Sequence, residues 1–221
     1  MDLHGLPGTN PRPRVAIIDS GVHAQHPHVL GVAGGVGIDA TGASHEAYVD
    51  RLGHGTAVTA AIREKAPGAD LYCVKVFDRE LSTTGDALVA ALRWARLQRM
   101  NIVNLSLGTT NAAHEAALTE EVTLAAQQAI AIVSAAPQAG ARWLPGALAG
   151  VIAVEMDMTL SRDICEVSVA DDGRTTARAS GYPRPIPGVP PERNLKGVSF
   201  AVANVSGLLA RAWPSWRPLD R

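Results

Sequence analysis

The sequence predicts a doubly wound α/β domain, in which helices cover both faces of a mainly parallel sheet. Short apolar runs recur along the chain, and segments with helical periodicity separate them. Runs that are apolar at nearly every position are typical of strands in the middle of a covered parallel sheet. Repeated alternation of strand and helix builds βαβ units. At 221 residues the chain is long enough for one such domain with a sizeable core.

Five apolar runs predict the strands of this sheet. The first is RVAIID (Arg14–Asp19), which ends on a carboxylate. The others are ADLYCVKVF (69–77), NIVNLSL (101–107), AIAIVSAA (129–136) and GVIAVEM (150–156). Their lengths are those of ordinary strands.

Two amphipathic segments predict helices between the strands. GDALVAALRWARLQR (85–99) places its leucines and alanines at positions 88, 91, 92 and 95 on one face, away from its arginines. AAHEAALTEEVTLAAQQA (112–129) has the same character. Residues 174–196 are polar and rich in proline, and they predict a long surface loop. We expect residues 1–13 to form a flexible N-terminal arm and residues 14–221 to form one domain.

Composition argues against several classes of function. Hydrophobic residues make up 47% and charged residues 19%, and a formal net charge of -1 does not indicate a nucleic-acid-binding surface. No apolar run approaches the roughly 18 residues that span a bilayer, and the N-terminus lacks the apolar core of a secretory signal. Cys73 and Cys165 are too few for a disulfide framework and predict buried free thiols. We therefore expect a cytoplasmic protein without a membrane or nucleic-acid partner.

Three polar residues occupy positions at which α/β sheets build their sites, just after a strand or at a helix start. Asp19 ends the first strand, His54 lies between two glycines before an apolar helix, and Ser199 precedes another small-residue helix. Each has an ordinary structural interpretation as well. Asp19 caps a turn, His54 is a hydrogen-bonded structural histidine, and Ser199 is a helix N-cap. A helix start also disfavours the protonated imidazole, which predicts a neutral ring at His54.

Together, the three residues favour nucleophilic catalysis. A hydroxyl is a poor nucleophile until a base removes its proton, and that base needs a carboxylate to fix its tautomer. Ser199, His54 and Asp19 supply these three roles. Backbone N–H groups at the start of the helix that carries Ser199 are placed to bind a developing oxyanion.

Seven short motifs carry a resemblance to a known family. In chain order they are AIIDSGV, HPHVL, GHGTAVTA, APGADLYCVKVF, NLSLG, LPGALAGVIAV and GVSFAVANVSGLLA, from about Arg14 to about Ala212. The sequence resembles subtilisin-like serine peptidases (subtilases, peptidase family S8), whose catalytic residues follow the same order of Asp, His and Ser. The resemblance implies a three-layer α/β/α sandwich around a mainly parallel sheet.

The resemblance also implies an activity and three residue roles. The protein is expected to be a serine endopeptidase that works through an acyl-enzyme and needs no cofactor. In this chain Ser199 is the expected nucleophile, His54 the general base and acid, and Asp19 the residue that orients His54.

Two substrate-binding edges are implied by the same resemblance. The family's Ser-Leu-Gly segment corresponds to Ser106, Leu107 and Gly108, which pair with the substrate backbone and line the pocket for the side chain before the cleaved bond. The opposite edge, usually rich in glycine, reads LSTTG here and narrows that side of the cleft. Its members are Leu81, Ser82 and Thr83.

The sequence departs from the family pattern at the expected oxyanion hole. The family's asparagine normally lies in an Ala-Ala-Gly-Asn stretch, whereas this chain has SAAPQAG with Pro137 and Gln138. Gln138 carries the same amide donor on a longer arm and is the expected oxyanion residue. Loss of such a donor lowered turnover about a hundred- to a thousand-fold in a member of this family. Ala203 and Asn204 stand where the family usually has Pro-His.

No metal site is predicted. The sequence has no Asp/Asn/Glu-rich loop that clearly matches the family's calcium sites. The HAQHPH run contains His23, His26 and His28, but His26 already belongs to a family motif. No acidic or cysteine partner stands near the run at helical spacing, so a zinc site is not indicated.

Three functional hypotheses follow from these observations. The leading one is an active serine endopeptidase that cleaves particular peptides or precursors, with a peptide or protein substrate, such as a dedicated precursor peptide, as partner. The alternative is a catalytically weak or inactive peptide-binding protein with the subtilase fold, motivated by Pro137, Gln138 and Asn204. The third is a doubly wound nucleotide-binding or structural domain, but no G-x-G-x-x-G or Walker A stretch follows any predicted strand.

Overall fold

The structure is a computed structural model that describes residues 12–137 and 140–215. Within these residues the strands are β1 (Arg14–Asp19), β2 (Gly34–Ile38), β3 (Ser44–His45), β4 (Asp70–Lys75), β5 (Ile102–Leu105), β6 (Ala131–Ala135), β7 (Val151–Met156), β8 (Cys165–Val169) and β9 (Thr175–Ala179). The α-helices are α1 (His54–Lys65), α2 (Gly85–Leu97), α3 (Glu115–Gln127) and α4 (Val198–Ala212). Short 3-10 helices cover Ala112–His114 and Pro191–Arg193.

These strands form one sheet, in the order β3-β2-β4-β1-β5-β6-β7-β9-β8. Neighbouring strands run parallel except at the two edges, where β3 and β8 run antiparallel to β2 and β9. β1 lies between β4 and β5, with Ile17 beside Cys73 and Asn104. Because the inner strands are parallel, their carboxyl ends meet at one edge, which is where a doubly wound sheet places its site.

Helices cover both faces of the sheet, as the alternation of side chains along β1 requires. Ile18 points to one face and packs in a core with α2 and α3, to which Leu88 contributes. Ile17 points to the other face and packs in a second core with α1 and α4, to which Ile62 and Phe200 contribute. The predicted three-layer α/β/α sandwich with a mainly parallel sheet is therefore confirmed.

One predicted loop contains a strand. The prediction that residues 174–196 form a long surface loop is wrong in its first part, where β9 completes the sheet between β7 and β8. Ala177 and Ala179 are buried and Arg178 between them is exposed, which is the alternation of a half-buried strand. Arg178 forms ion pairs with Asp157 and Glu166. Polar residues on the outer face gave this strand the composition of a loop.

The other predicted elements form close to their expected places. Each apolar run contains a strand, and each amphipathic segment contains a helix. Strands β2, β3 and β8 were not predicted, because none of them contains an apolar run. β2 has glycine at three of five positions, and β8 is largely exposed. Cys73 and Cys165 are both free thiols, but only Cys73 is buried. No helix in the described ranges is long and apolar enough to cross a membrane. Residues 1–11 of the predicted arm lie outside the described residues.

Candidate active site

Side chains from the ends of the central strands and the starts of two helices meet at the carboxyl edge of the sheet. Asp19 is the last residue of β1. His54 is the first residue of α1, and Ser199 is the second residue of α4. Helices α1 and α4 pack against each other on one face of the sheet, so their starts lie at the same edge as Asp19.

Glycines allow the start of α1 to approach the end of β1. Gly53 precedes the helix with a φ of 81°, in the left-handed region that glycine adopts readily. A Cβ on Gly55 would lie 2.3 Å from the carbonyl oxygen of Gly21, so the backbone leaves no room for a larger residue. The two glycines that flank His54 thus permit the close contact between His54 and Asp19.

Asp19 and His54 form a part-buried hydrogen bond. The Nδ1 atom of His54 lies 2.7 Å from Oδ1 of Asp19, whose side chain is fully buried. A carboxylate only accepts hydrogen bonds, so Nδ1 is the donor and Nε2 of the neutral ring is left as a proton acceptor. Asp19 Oδ1 also accepts from the backbone N–H of Ser20 at 2.7 Å. Asp19 is therefore the partner of the imidazole, and the same oxygen also holds the backbone N–H of the next residue.

The environment of His54 raises its pKa above the ordinary value of 6.5. Burial of the ring acts against the charged form and lowers the pKa. The hydrogen bond to Asp19 and the negative charges of Asp19 and Asp50 outweigh burial and raise it. The prediction of a neutral ring considered only the helix start, which disfavours the charged form; the hydrogen bond to Asp19 and the charges of Asp19 and Asp50 shift the pKa in the opposite direction.

Ser199 does not cap its helix. Helix α4 has Gly197 as its N-cap residue and no side-chain hydrogen bond at the cap. Ser199 is half-buried, and its hydroxyl makes no hydrogen bond to any described residue, His54 included. The neighbouring ring of Phe200 lies 5.9 Å from the imidazole of His54, measured between ring centres. The structure thus brings the first turn of α4 against His54 and leaves the Ser199 hydroxyl unengaged.

Sequence reasoning missed a second buried carboxylate in the site, Asp50. Its side chain accepts hydrogen bonds from residues that precede and follow His54 in the sequence, namely Leu52, Gly53 and Thr56. It also accepts one from Ser20, the residue after Asp19. Burial acts to raise the pKa of Asp50, but these hydrogen bonds hold it below its ordinary value. The available signal was an aspartate shortly before a helix start, a position typical of N-terminal caps.

The predicted substrate edge follows β5. Ser106 and Gly108 are half-buried and Leu107 is buried. The Ser106 hydroxyl accepts from Nδ2 of Asn104 at 3.3 Å, and Oδ1 of Asn104 accepts from the Ser206 hydroxyl of α4 at 3.0 Å. This buried chain of polar groups ties the edge to the helix that carries Ser199.

Gly108 lies against Trp143. A Cβ at Gly108 would lie 2.4 Å from Nε1 of that indole and 2.5 Å from the carbonyl oxygen of Leu144. Thr109 forms an antiparallel bridge with Leu144. The edge after β5 is thus packed closely against the segment that leads into β7.

The opposite predicted edge lies in the loop between β4 and α2. Leu81 is 57% exposed, Ser82 is exposed and Thr83 is half-buried. An exposed leucine on a polar loop is available to contact a bound peptide.

Two further residues, Gln138 and Asn204, differ from those that the family usually has at these positions. Gln138, the expected oxyanion residue, lies outside the described residues. Asn204 is fully buried, and its Nδ2 donates to the carbonyl oxygens of Ser180 and Tyr182 at 2.8 and 3.0 Å. Asn204 therefore fixes the loop after β9 to helix α4.

The run that contains His23, His26 and His28 does not assemble with other ligands. Among residues 12–137 and 140–215, no group of three or more His, Cys, Asp and Glu side chains is placed to hold a metal ion. The pKa of His28 is lowered by its partial burial and by the positive charge of Arg184.

Comparison with known proteins identifies the family. A sequence model of the Subtilase family matches residues 11–159, which is more than half of the chain. The chain belongs to the subtilase family. The resemblance predicted from the motifs is confirmed. The matched range includes Asp19 and His54 and ends before Ser199.

Curated subtilases with similar sequences are proteases. The thermostable alkaline protease of Halalkalibacterium halodurans is 36% identical in an alignment of 152 residues that covers 64% of this chain and 40% of that protein. Subtilisin DY of Bacillus licheniformis is 34% identical in an alignment of 150 residues that covers 63% of this chain and 52% of that protein. The matches span about half or less of the length of these relatives.

A solved structure shares the fold over most of the chain. The prenylagaramide maturation protease PagA superposes with a TM-score of 0.65 at 22% sequence identity. The superposition covers 91% of this chain and 74% of that one. This likeness extends through most of the chain, beyond the range of the family match, and it supports the subtilase fold.

Proposed function

We propose that this subtilase is a serine endopeptidase whose catalytic residues are Asp19, His54 and Ser199. The observation that carries the proposal is the 2.7 Å hydrogen bond between Asp19 Oδ1 and His54 Nδ1. Because Nδ1 is held at the carboxylate, Nε2 on the other side of the ring is left to accept a proton. The first turn of α4, with an uncommitted hydroxyl on Ser199, packs beside the same ring.

The proposed reaction proceeds through an acyl-enzyme. His54 Nε2 takes the hydroxyl proton as Ser199 Oγ attacks the carbonyl carbon of the peptide, and the peptide C–N bond then breaks as His54 returns the proton to the leaving amine. Water, activated by the same nitrogen, hydrolyses the resulting ester and restores the hydroxyl. The charge of Asp19 stabilises the imidazolium that forms in each step.

Backbone N–H groups in the first turn of α4 support the proposed role of Ser199. The N–H groups of Phe200 and Ala201 share the carbonyl oxygen of Gly197, at 3.0 and 3.4 Å, and the N–H groups of this turn together carry the positive end of the helix dipole. A tetrahedral oxyanion formed at Ser199 develops its charge beside them. Gln138 remains our proposal for a further donor to this oxyanion.

The proposed substrate is an extended peptide that lies between two edges of the cleft. Ser106, Leu107 and Gly108 follow a central parallel strand and form one edge, held by the hydrogen bond from Asn104 to Ser106. Addition of a peptide strand there supplies main-chain hydrogen bonds, and the side-chain pockets supply specificity. The exposed Leu81, with Ser82 and Thr83, forms the other edge.

We propose limited processing of particular peptides or precursors as the biological role. The similar fold of PagA, which is described as a maturation protease of prenylagaramide, supports this proposal. A dedicated precursor peptide is the proposed partner. The test is a comparison of cleavage sites in a peptide library and in denatured casein, since a processing enzyme cuts few sequences and a digestive one cuts many.

The activity itself is tested by peptide hydrolysis with a matched variant. Purified wild-type protein is expected to release new peptide termini, detected by mass spectrometry, and Ser199→Ala is expected to release none above background. Equal release by both proteins would remove Ser199 from the mechanism. Equal absence of release, with peptide binding retained, would favour the alternative of a peptide-binding protein that does not cut.

We also propose that the protein works in the reducing cytoplasm. The support is the pair of free thiols, Cys73 and Cys165. Burial raises the pKa of the Cys73 thiol strongly and keeps it in its unreactive, protonated form. Cell fractionation in the source organism tests this proposal, and recovery of the protein from the culture medium would contradict it.

A further inference from the structure

Asp50 lies at the centre of a hydrogen-bond network that joins the two elements of the site. Its side chain is 2% exposed, and both carboxylate oxygens are engaged. We propose that Asp50 is a positioning residue that holds the end of β1 and the start of α1 together, and so sets the contact between Asp19 and His54. The catalytic consequence of this inference rests on the proposed function, whereas its effect on His54 does not.

The first link runs through Ser20. Oδ1 of Asp50 accepts from the Ser20 hydroxyl at 2.9 Å, and that hydroxyl oxygen accepts from the backbone N–H of Gly55 at 2.9 Å. Ser20 follows Asp19 in the sequence, and Gly55 follows His54. The hydroxyl therefore bridges the residues next to both members of the pair, and Asp50 fixes the direction in which it donates.

The second link is a cap on helix α1. Gly53, the N-cap residue, has no side chain with which to cap the helix. Asp50 supplies the acceptors instead, taking the backbone N–H groups of Leu52, Gly53 and Thr56 at 2.9 Å each. It also accepts the Thr56 hydroxyl at 2.6 Å. The helix start that presents His54 is thus held by Asp50 as well as by Asp19.

The charge of Asp50 reaches the imidazole as well. The charged groups that act on His54 are Asp19 from β1 and Asp50 from the loop before α1. Helix α4 contributes the uncharged ring of Phe200. Replacing Asp50 by an uncharged residue of the same shape therefore removes one of two groups that favour the protonated ring.

Asp50→Asn is the variant that tests this inference. Asparagine keeps one acceptor oxygen but places an NH2 group where an acceptor is needed, either beside Thr56 or beside Ser20. The readout is the pKa of His54, followed by NMR through its ring C–H signals in the full chain with Ser199→Ala, which prevents self-cleavage. We expect the pKa of His54 to fall relative to the Ser199→Ala parent. With Ser199 in place, we expect Asp50→Asn to lower kcat about 10- to 100-fold and to leave KM within twofold of wild type.

Asp39→Asn is the matched control. Asp39 also accepts several hydrogen bonds from its own turn, at Thr41 and Ala43, but it is exposed and lies between β2 and β3. This control is expected to leave the His54 pKa at the value of the Ser199→Ala parent and kcat at the wild-type value. An Asp50→Asn protein that also keeps both values would overturn the inference.

Two milder variants keep the test decisive if Asp50→Asn does not fold. Ser20→Ala and Thr56→Val each remove one hydroxyl that donates to the carboxylate and leave its charge in place. Each is expected to lower kcat about three- to tenfold with KM within twofold, and unchanged kcat in both would overturn the inference. Should wild-type protein prove inactive, the proposed function fails, and the NMR titration still decides whether Asp50 acts on His54.

Discussion

Replacing Asp19 by asparagine removes the charge beside His54 and nearly keeps the shape of the side chain. Oδ1 of Asp19 accepts two hydrogen bonds, from the Ser20 N–H and from His54 Nδ1. Oδ2 is buried and has no partner among the described residues. The two orientations of the new amide therefore have different consequences.

With its carbonyl oxygen at the Oδ1 position, the asparagine keeps both hydrogen bonds and buries an unpartnered NH2 group. Such a group costs about 1–3 kcal/mol of folding free energy. With the amide reversed, the NH2 group faces the donating N–H of Ser20 and donates to Nδ1 of His54. The ring proton then moves to Nε2, and His54 can no longer accept the proton of Ser199.

Either orientation removes the charge that stabilises the imidazolium. We expect kcat of Asp19→Asn to fall about 10⁴-fold, the loss found for the equivalent change in another serine peptidase. At 1.36 kcal/mol for each factor of ten, the loss corresponds to about 5 kcal/mol of transition-state stabilisation. The assay is hydrolysis of a fluorogenic peptide under saturating substrate.

Asp172→Asn is the control for this experiment. Asp172 is an exposed carboxylate that pairs with Arg174 in the turn between β8 and β9. It is expected to keep full activity. If Asp19→Asn retains more than a tenth of wild-type kcat while its fold is intact, the proposed role of the hydrogen bond to His54 is refuted.

Three other changes probe the base, the oxyanion donor and the substrate edge. Turnover is expected to rise with pH, because the neutral form of His54 is the base. The midpoint of the pH–rate profile is expected to lie above 6.5, because the pKa of His54 is raised. A midpoint below 6.5 would contradict the role of Asp19 and Asp50 in raising that pKa. Gln138→Ala is expected to lower kcat about a hundred- to a thousand-fold with little change in KM, and an unaltered kcat would assign the oxyanion to other donors. Gly108→Ala is expected to raise KM about tenfold or more, because the new Cβ would meet the indole of Trp143 and the carbonyl oxygen of Leu144. The measurement is steady-state kinetics. A KM that matches wild type would show that this edge does not hold substrate.

The pair of Asp19 and His54 was predictable because each residue stands next to a strong local signal. Asp19 ends an unbroken apolar strand, and His54 opens a helix after a glycine. Parallel strands place such positions at one edge of the sheet whatever the intervening sequence. The position of Ser199 at a helix start was predictable for the same reason, but local sequence favoured a capping role, and the structure gives the cap to Gly197 instead.

What the sequence could not predict depends on contacts between distant segments. Asp50 looks like an ordinary loop carboxylate until the fold brings Ser20, thirty residues away, against it. The raised pKa of His54 also depends on such contacts, since its hydrogen bond joins it to Asp19, 35 positions away, and the charge of Asp50 adds to the effect. Strand β9 was hidden because only Ala177 and Ala179 face the core, and two alanines make a weak apolar signal.

The most direct measurement is the site at which a fluorophosphonate probe modifies the folded protein, located by mass spectrometry of its peptides. Such a probe reacts with a serine hydroxyl that a neighbouring base has activated. The predicted result is one adduct, on the peptide that contains Ser199, which is lost in Ser199→Ala and strongly reduced in His54→Ala. An adduct on another serine, or equal labelling of the folded protein and these variants, would contradict an activated hydroxyl at the start of α4.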